Sequence, residues 1–288
     1  MAVRRLKPKN DFVFGKLFGR TESKASLLAL LNAILQPDGL KPIVDLTVIE
    51  NRQLEKMLFN EKTGIVDIRA RLEDGDNVNI EMQMTNRGNM IHRSLFYLSK
   101  LYASSIQSGE DYAMLKRTIV INLLDFELLS TKRFHNTYHL YEDHEREHRL
   151  TDLLEVHFIE FPKFERVAKD KSNPLHRWLM FMDEKLPEEE LKELMRMDPI
   201  IEVTEEQLEG MSQDEFMRRA AEIREKAHLD WISSINYATQ KGREEGREEG
   251  AQEVKAEIVR KLLRNGMSVD DVSRMTEMSA EEIERLRR

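Results

Sequence analysis

Residues 65–84 read IVDIRARLEDGDNVNIEMQM. Two runs alternate apolar and polar side chains around Glu73-Asp74-Gly75-Asp76, so the stretch predicts a β-hairpin with strands over 65–72 and 77–84. Successive side chains of a strand point to opposite faces. Val66, Ile68, Ala70 and Leu72 share one face of the first strand, and Asp67, Arg69 and Arg71 the other. On the second strand Val78, Ile80, Met82 and Met84 are the apolar set, and Asn79, Glu81 and Gln83 the polar one. A two-residue Asp74-Gly75 turn would set Asp67 against Met82 and mix the faces. A loop of three or five residues sets Asp67 against Glu81 or Gln83 and keeps apolar with apolar, so the pattern selects it. Directly opposed Cβ atoms lie roughly 5 Å apart, close enough for two carboxylates to share one cation.

Neighbouring carboxylates repel, and a cation relieves that repulsion. A hard ion such as Mg²⁺ takes oxygen ligands and needs only one or two carboxylates. On this reading Asp67 and Glu81 hold the metal, the Met82 carbonyl is a further ligand, and Gln83 orients a nucleophilic water. The spacing alone is not specific, because two acids on an exposed hairpin face are ordinarily just solvated.

Working outward, residues 10–20 (NDFVFGKLFGR) have helical spacing with Asn10 or Asp11 as cap, and a second helix is expected over Ser23–Leu35, stopped by Gln36-Pro37-Asp38-Gly39. Val44–Glu50 reads as a short strand. After the hairpin, Met90–Gln107 reads as a helix with an apolar stripe of Ile91, Leu95, Leu98 and Tyr102 and a second stripe of Arg93, Tyr97 and Lys100. Strands are expected over 117–125, 133–141 and 152–161, the last two joined by the polar turn EDHEREHR, and helices from Pro162 onward. A long charged helix starts near Ser212 and contains GREEGREEG, with Gly242, Gly246 and Gly250 on one face. Three short helices fill Val254–Arg288: Gly266 ends one, and Ser268 with Asp271 and Ser279 with Glu282 are capping boxes for the next two. The fold class is α/β, a mixed sheet flanked by helices, divided as 1–240 and a helical tail 241–288.

Hydrophobic residues make up 40% and charged residues 34% of the 288, so the chain buries a sizeable core and carries long solvated helices. With no cysteine, disulfides, thiolate nucleophiles and thiolate metal sites are excluded, which fits a reducing cytoplasm. The run Leu27–Leu35 is too short to span a bilayer, and no membrane segment is expected. The net charge of −8 does not describe a nucleic-acid coat, but Arg4, Arg5, Lys7, Lys9, Lys16 and Arg20 crowd the first twenty residues against Asp11 alone. His135, His139, His144 and His148 are paired at spacings of four, which converges on a helix but not on a strand–turn–strand segment, so they are expected to be solvated. The last three helices have the spacing of a helix-turn-helix DNA reader, but Glu281, Glu282 and Glu284 suit a protein-contact or dimerisation tail better. The glycine repeat suggests a linker or the close approach of a partner helix in a homodimer.

IVDIRARLEDGDNVNIEMQ resembles the core of the recombination-promoting nuclease and transposase-like family of PD-(D/E)XK proteins. NDFVFGKLF resembles its amino-terminal D-x-x-F-K-x-x-F signature, with Gly15 where Lys is usual. RSLFYLSKLY (93–102) resembles its R-x-x-x-Y-x-x-x-x-Y helix, and LTDLLEVHFIEFPKF (150–164) a recurrent strand ending in P-K. GREEGREEG and the small helical tail are also typical. The resemblance implies a restriction-endonuclease-like core and Mg²⁺-dependent DNA cleavage, with Mn²⁺ a substitute, and maps Asp67, Glu81 and Gln83 onto the family's D…E-x-Q. The wider superfamily has Lys where Gln83 stands; a cation stabilises developing charge, whereas a neutral amide only hydrogen-bonds. Arg93 or Lys100 is the expected replacement. Asp11, Lys16, Arg93, Tyr97 and Lys100 are the candidate substrate-binding residues, with Asp11 equally suited to capping its helix. A DNA endonuclease linked to recombination or mobile elements is therefore expected, with homo-oligomerisation through the C-terminal helices. The alternative is a catalytically silent nuclease fold acting as a binding or assembly module through that region. Hydrolysis of RNA would share the same metal chemistry.

Overall fold

The first helix, α1 (Asp11–Phe18), begins where Asn10 accepts hydrogen bonds from the backbone N–H of Phe12 and Val13. That satisfies two of the donors a helix start leaves open. Asn10, not Asp11, is thus the cap. A short 3-10 turn leads into α2 (Lys24–Leu35), whose Leu27, Leu30, Leu31 and Ile34 are buried. The computed structural model describes residues 4–35, 42–49 and 67–287, except for the side chains of Asp67 and Arg287. The expected helix stop at Gln36–Gly39, and Glu50, Ile65 and Val66 of the expected strands, lie outside those residues.

Among the described residues six strands follow in chain order: β1 (Leu46–Ile49), β2 (Asp67–Leu72), β3 (Asn77–Gln83), β4 (Thr118–Leu124), β5 (His135–Tyr141) and β6 (Arg149–Glu160). They form one mixed sheet in the order β1-β2-β3-β4-β6-β5. β3, β4 and β6 are parallel, and the other pairings are antiparallel. The hairpin closes as the apolar pattern requires. Leu72 N–H donates to Asp76 O at 2.9 Å and Gly75 N–H to Leu72 O at 3.0 Å. Gly75 takes φ +93°, open to glycine at little cost. The loop therefore has three residues, and Asp67 pairs with Glu81.

Alternation along the strands divides the buried side chains between two faces. Ile68, Ala70, Val78, Ile80, Met82, Ile119, Ile121, Leu123 and Ile159 join the larger core. That core is completed by α1, α2 and residues of α5 (Pro174–Phe181), α6 (Glu188–Met197) and α7 (Pro199–Gln213), which follow the short α4 (Phe161–Glu165). Val120, Leu124, Val156 and Phe158 face the opposite way and meet Met90 and Leu98 of α3 (Met90–Ala103).

That second face corrects the expected orientation of α3. Its inward residues are Met90, Ser94 and Leu98, while Ile91 and Leu95 are exposed. The cause is polar: Ser94 Oγ reaches Asn122 Oδ1 of β4 at 3.0 Å, so a serine holds a core position. The histidines need a second correction. His144 and His148 are exposed, but His135 and His139 are half-buried. His135 Nε2 lies 2.8 Å from His157 Nδ1, and His139 Nε2 lies 3.2 Å from Glu155, which also binds His157 and Arg117.

The chain divides into two compact units, Met1–His228 and Leu229–Arg288. The boundary falls within α8 (Glu215–Arg264), which starts at the Asp214 break rather than at Ser212. The second unit has its own small core of Val259, Val272 and Ile283, built with α9 (Val269–Thr276) and α10 (Ala280–Arg287). Ser268 and Ser279 cap these helices through the expected partners Asp271 and Glu282. Among the described residues no helix is long and apolar enough to cross a membrane.

Candidate active site

Glu81 lies on β3 with its side chain on the α3 face, and it is only 1% exposed. Burying a carboxylate without partners costs several kcal/mol, and its surroundings offset that cost at one of its oxygens, Oε1. Gln83 Nε2 donates to Glu81 Oε1 at 2.6 Å, and the Arg93 guanidinium forms an ion pair with the same oxygen. Arg93 also donates to Gln83 Oε1 at 3.3 Å. Glu81, Gln83 and Arg93 therefore form a closed triangle of charge-assisted bonds. Asp67 stands directly opposite Glu81 in the ladder.

The floor beneath α3 continues this polar character. Asn122 stands beside Glu81 in the β3–β4 register, fully buried between Ser94 and the His157 carbonyl, to which its Nδ2 donates at 3.0 Å. Asn79 is cross-strand from Arg69 and diagonal to Asp67. Its buried Nδ2 has no hydrogen-bond partner among the described residues. Asn79 is expected on the polar face of the hairpin; Asn122 and Ser94 escaped the sequence reading, although a lone Asn within the apolar run TIVINLL was the available signal for Asn122.

The other expected residues are dispersed. Lys100, two turns beyond Arg93, is exposed, so of the two candidate cations only Arg93 reaches Glu81. Tyr97 is half-buried, with its ring edge-on to Phe96. Met82 buries its side chain in the opposite core, leaving only its backbone available at the level of Glu81. Lys16 Nζ sits 5.9 Å from the Phe12 ring, while Gly15 is buried in α1. Asp11 accepts from Phe12 N–H at 2.8 Å and lies 3.6 Å from Arg224 of α8. Burial raises its carboxyl pKa, partly offset by Arg224, the Phe12 N–H and His228. His228 in turn bonds Thr85, just past Gln83, at 2.6 Å.

Two further contacts fix the carboxyl ends of the parallel strands. Asp125 donates its N–H to Gln83 O at 2.9 Å and takes Lys9 Nζ at 2.8 Å. Glu160, wholly buried, accepts from Leu128 and Leu129 N–H at 2.7 and 2.8 Å, and pairs with Lys163. Lys163 also donates to Leu129 O at 2.6 Å. The junction of β6 and α4, through Glu160 and Lys163, is thus a buried clamp on the loop after β4.

Among the described residues no three His, Cys, Asp or Glu side chains form a metal-binding group. A hairpin that opposes two acidic positions within a mixed sheet, under a helix that sets an arginine on Glu81, defines an α/β core of the PD-(D/E)XK type. The family model described as PD-(D/E)XK nuclease family transposase matches residues 8–238, and the chain belongs to that family. No curated protein and no solved structure matches it.

Proposed function

We propose that the protein is a Mg²⁺-dependent DNA endonuclease linked to recombination or mobile elements. The observation that carries this reading is the pairing of Asp67 with Glu81 beneath Arg93, within a family described as nuclease and transposase. The donors suit a hard ion: carboxylates, an amide and backbone carbonyls, with no thiolate in the chain. Mn²⁺ takes the same donors. When bound, the cation supplies Lewis-acid stabilisation of a phosphoryl oxygen and a lower pKa for an attacking water.

The protein's own residues do the rest. Asp67, Glu81 and the Met82 carbonyl hold the ion. Gln83, with a donor and an acceptor on one amide, orients the attacking water. Arg93 carries the positive charge that a lysine supplies elsewhere in the superfamily, and stabilises the charge developing on phosphate. Lys16, Tyr97 and Lys100 serve the DNA backbone. The functional division is a nuclease domain over 1–240 and a tail over 241–288 that mediates self-association.

Plasmid cleavage by the purified protein, with Mg²⁺ and with EDTA, tests this beside Asp67→Ala and Glu81→Gln. Mg²⁺-dependent nicking or linearisation, lost in both folded variants, is the expected result. Cutting that survives both substitutions places the chemistry elsewhere. A folded protein inert in Mg²⁺ and Mn²⁺ favours the second reading, an assembly module. One observation supports that reading: a Cβ added at Gly242, Gly246 or Gly250 meets nothing within 4 Å, so this face of α8 is open to a partner helix.

A further inference from the structure

From Met82 to Gly109 the chain contains no aspartate or glutamate. At the chain's average density of acids, 53 in 288 residues, such a stretch would hold about five. It carries Arg87, Arg93 and Lys100, with His92, on an otherwise acidic protein. The stretch includes all of α3, whose buried residues are Met90, Ser94 and Leu98. Its outward side presents Phe96 at 63% exposure, with Leu95 and Ile91 beside it. Helical geometry places Phe96 four residues after His92 and four before Lys100, so these three exposed side chains share one side of the helix. The Tyr97 ring meets the Phe96 ring edge-on at 5.6 Å between centroids, which leaves a Phe96 face open.

We propose that the outward face of α3 binds nucleic acid whose bases are unpaired, with Phe96 stacking on a base and His92 and Lys100 holding the flanking phosphates. This rests on the nuclease reading above and names its substrate class: single-stranded or locally opened DNA. A phosphate backbone explains the cations and the missing acids, but offers an exposed ring nothing to pack against. An unstacked base does, since every base has a flat apolar face and aromatic stacking is indifferent to sequence. A protein partner would explain the ring but not the absence of acids over so long a stretch. Arg93 links this face to the chemistry, because the same helix turn that starts the stripe touches Glu81 and Gln83.

The test is fluorescence anisotropy in EDTA, where no cutting confounds binding, with the full chain and a labelled oligonucleotide as single strand, perfect duplex and duplex with a central unpaired bubble. Wild type is expected to prefer the single strand and the bubble over the duplex by about tenfold, the scale of one stacked base. Phe96→Ala is expected to bring that ratio near one. Phe96→Trp is expected to keep it and to show indole fluorescence quenched by the single strand but not by the duplex. Lys100→Ala is expected to weaken binding to all three and to reduce the salt slope by about one. Equal preference in wild type and Phe96→Ala overturns the inference. So does a Phe96→Ala effect seen only in the protein's own sedimentation, which marks the face as a protein contact. Binding and cutting fail separately: bubble preference without cleavage removes only the nuclease reading, and cleavage without a role for Phe96 removes only this one.

Discussion

Gln83 stands where the wider superfamily has a lysine, and its bonds explain why an amide works in this chain. Its Nε2 serves Glu81 while its Oε1 receives Arg93. A lysine has donors only, so it would abandon Arg93 and set ammonium beside guanidinium. Gln83→Lys is therefore expected to cost about 1–3 kcal/mol in urea denaturation. Adding Arg93→Gln, which moves the charge rather than doubling it, is expected to recover most of that loss. A double-mutant cycle with coupling below about 0.5 kcal/mol would show that the two side chains do not act as one. The same pairing makes Arg93 and a metal ion rivals for Glu81. Arg93→Ala is expected to lower Tm in EDTA and to show a larger rise on adding Mg²⁺ than wild type does. Equal rises in both proteins would mean that the guanidinium and the ion do not compete for this carboxylate.

At the scale of strands and helices, the hairpin was legible because its alternation admits only one face-matched register, and the structure has that register. Gly75 holds it: any side chain there meets φ +93° and a Lys116 carbon at 3.1 Å. Gly75→Val is expected to cost about 1–2 kcal/mol, measured by chemical denaturation. The orientation of α3 was not legible, because Ser94 bonds a buried asparagine that sits far away in sequence. Nor was the network between β5 and β6, since His157 and Glu155 look like the solvent side of an ordinary strand until β5 covers them. That network predicts a pH dependence. Burial, and the nearby charges of His157 and Arg133, hold His135 down to about 4. In the unfolded chain it titrates near 6.5, so between those values the unfolded state takes up a proton that the folded state refuses. Stability therefore falls as pH falls through that window. Burial pushes the Glu155 carboxyl up, but bonds from His157 and Arg117 outweigh it and hold the group well below the usual carboxylate range. Its contribution is full above the ordinary carboxylate pKa and is lost at lower pH. Unfolding free energy is expected to drop by about 2 kcal/mol from pH 7 to 4.5 for His135, allowing for its partial exposure. His135→Gln should flatten the profile over that interval, and an unchanged slope would assign the effect to other groups.

For the whole molecule, the two units differ sharply in what holds them. Met1–His228 has apolar clusters on both faces of a six-stranded sheet, while Leu229–Arg288 relies on Val259, Val272 and Ile283 with a ring of half-buried neighbours. Small cores supply little net stability, so calorimetry is expected to resolve two transitions, the lower one from the C-terminal unit. Val272→Asp buries a charge in that core and should abolish the lower transition alone. The same variant separates the roles of the two units. If the chemistry resides at Glu81 and the tail only brings two copies together, Val272→Asp should still nick plasmid DNA but lose the second-strand cut that needs a paired site. Unchanged linearisation would free the tail from any part in assembly. Loss of nicking as well would tie the chemistry itself to the C-terminal unit, a link that neither the buried Glu81 triangle nor the family match over 8–238 requires.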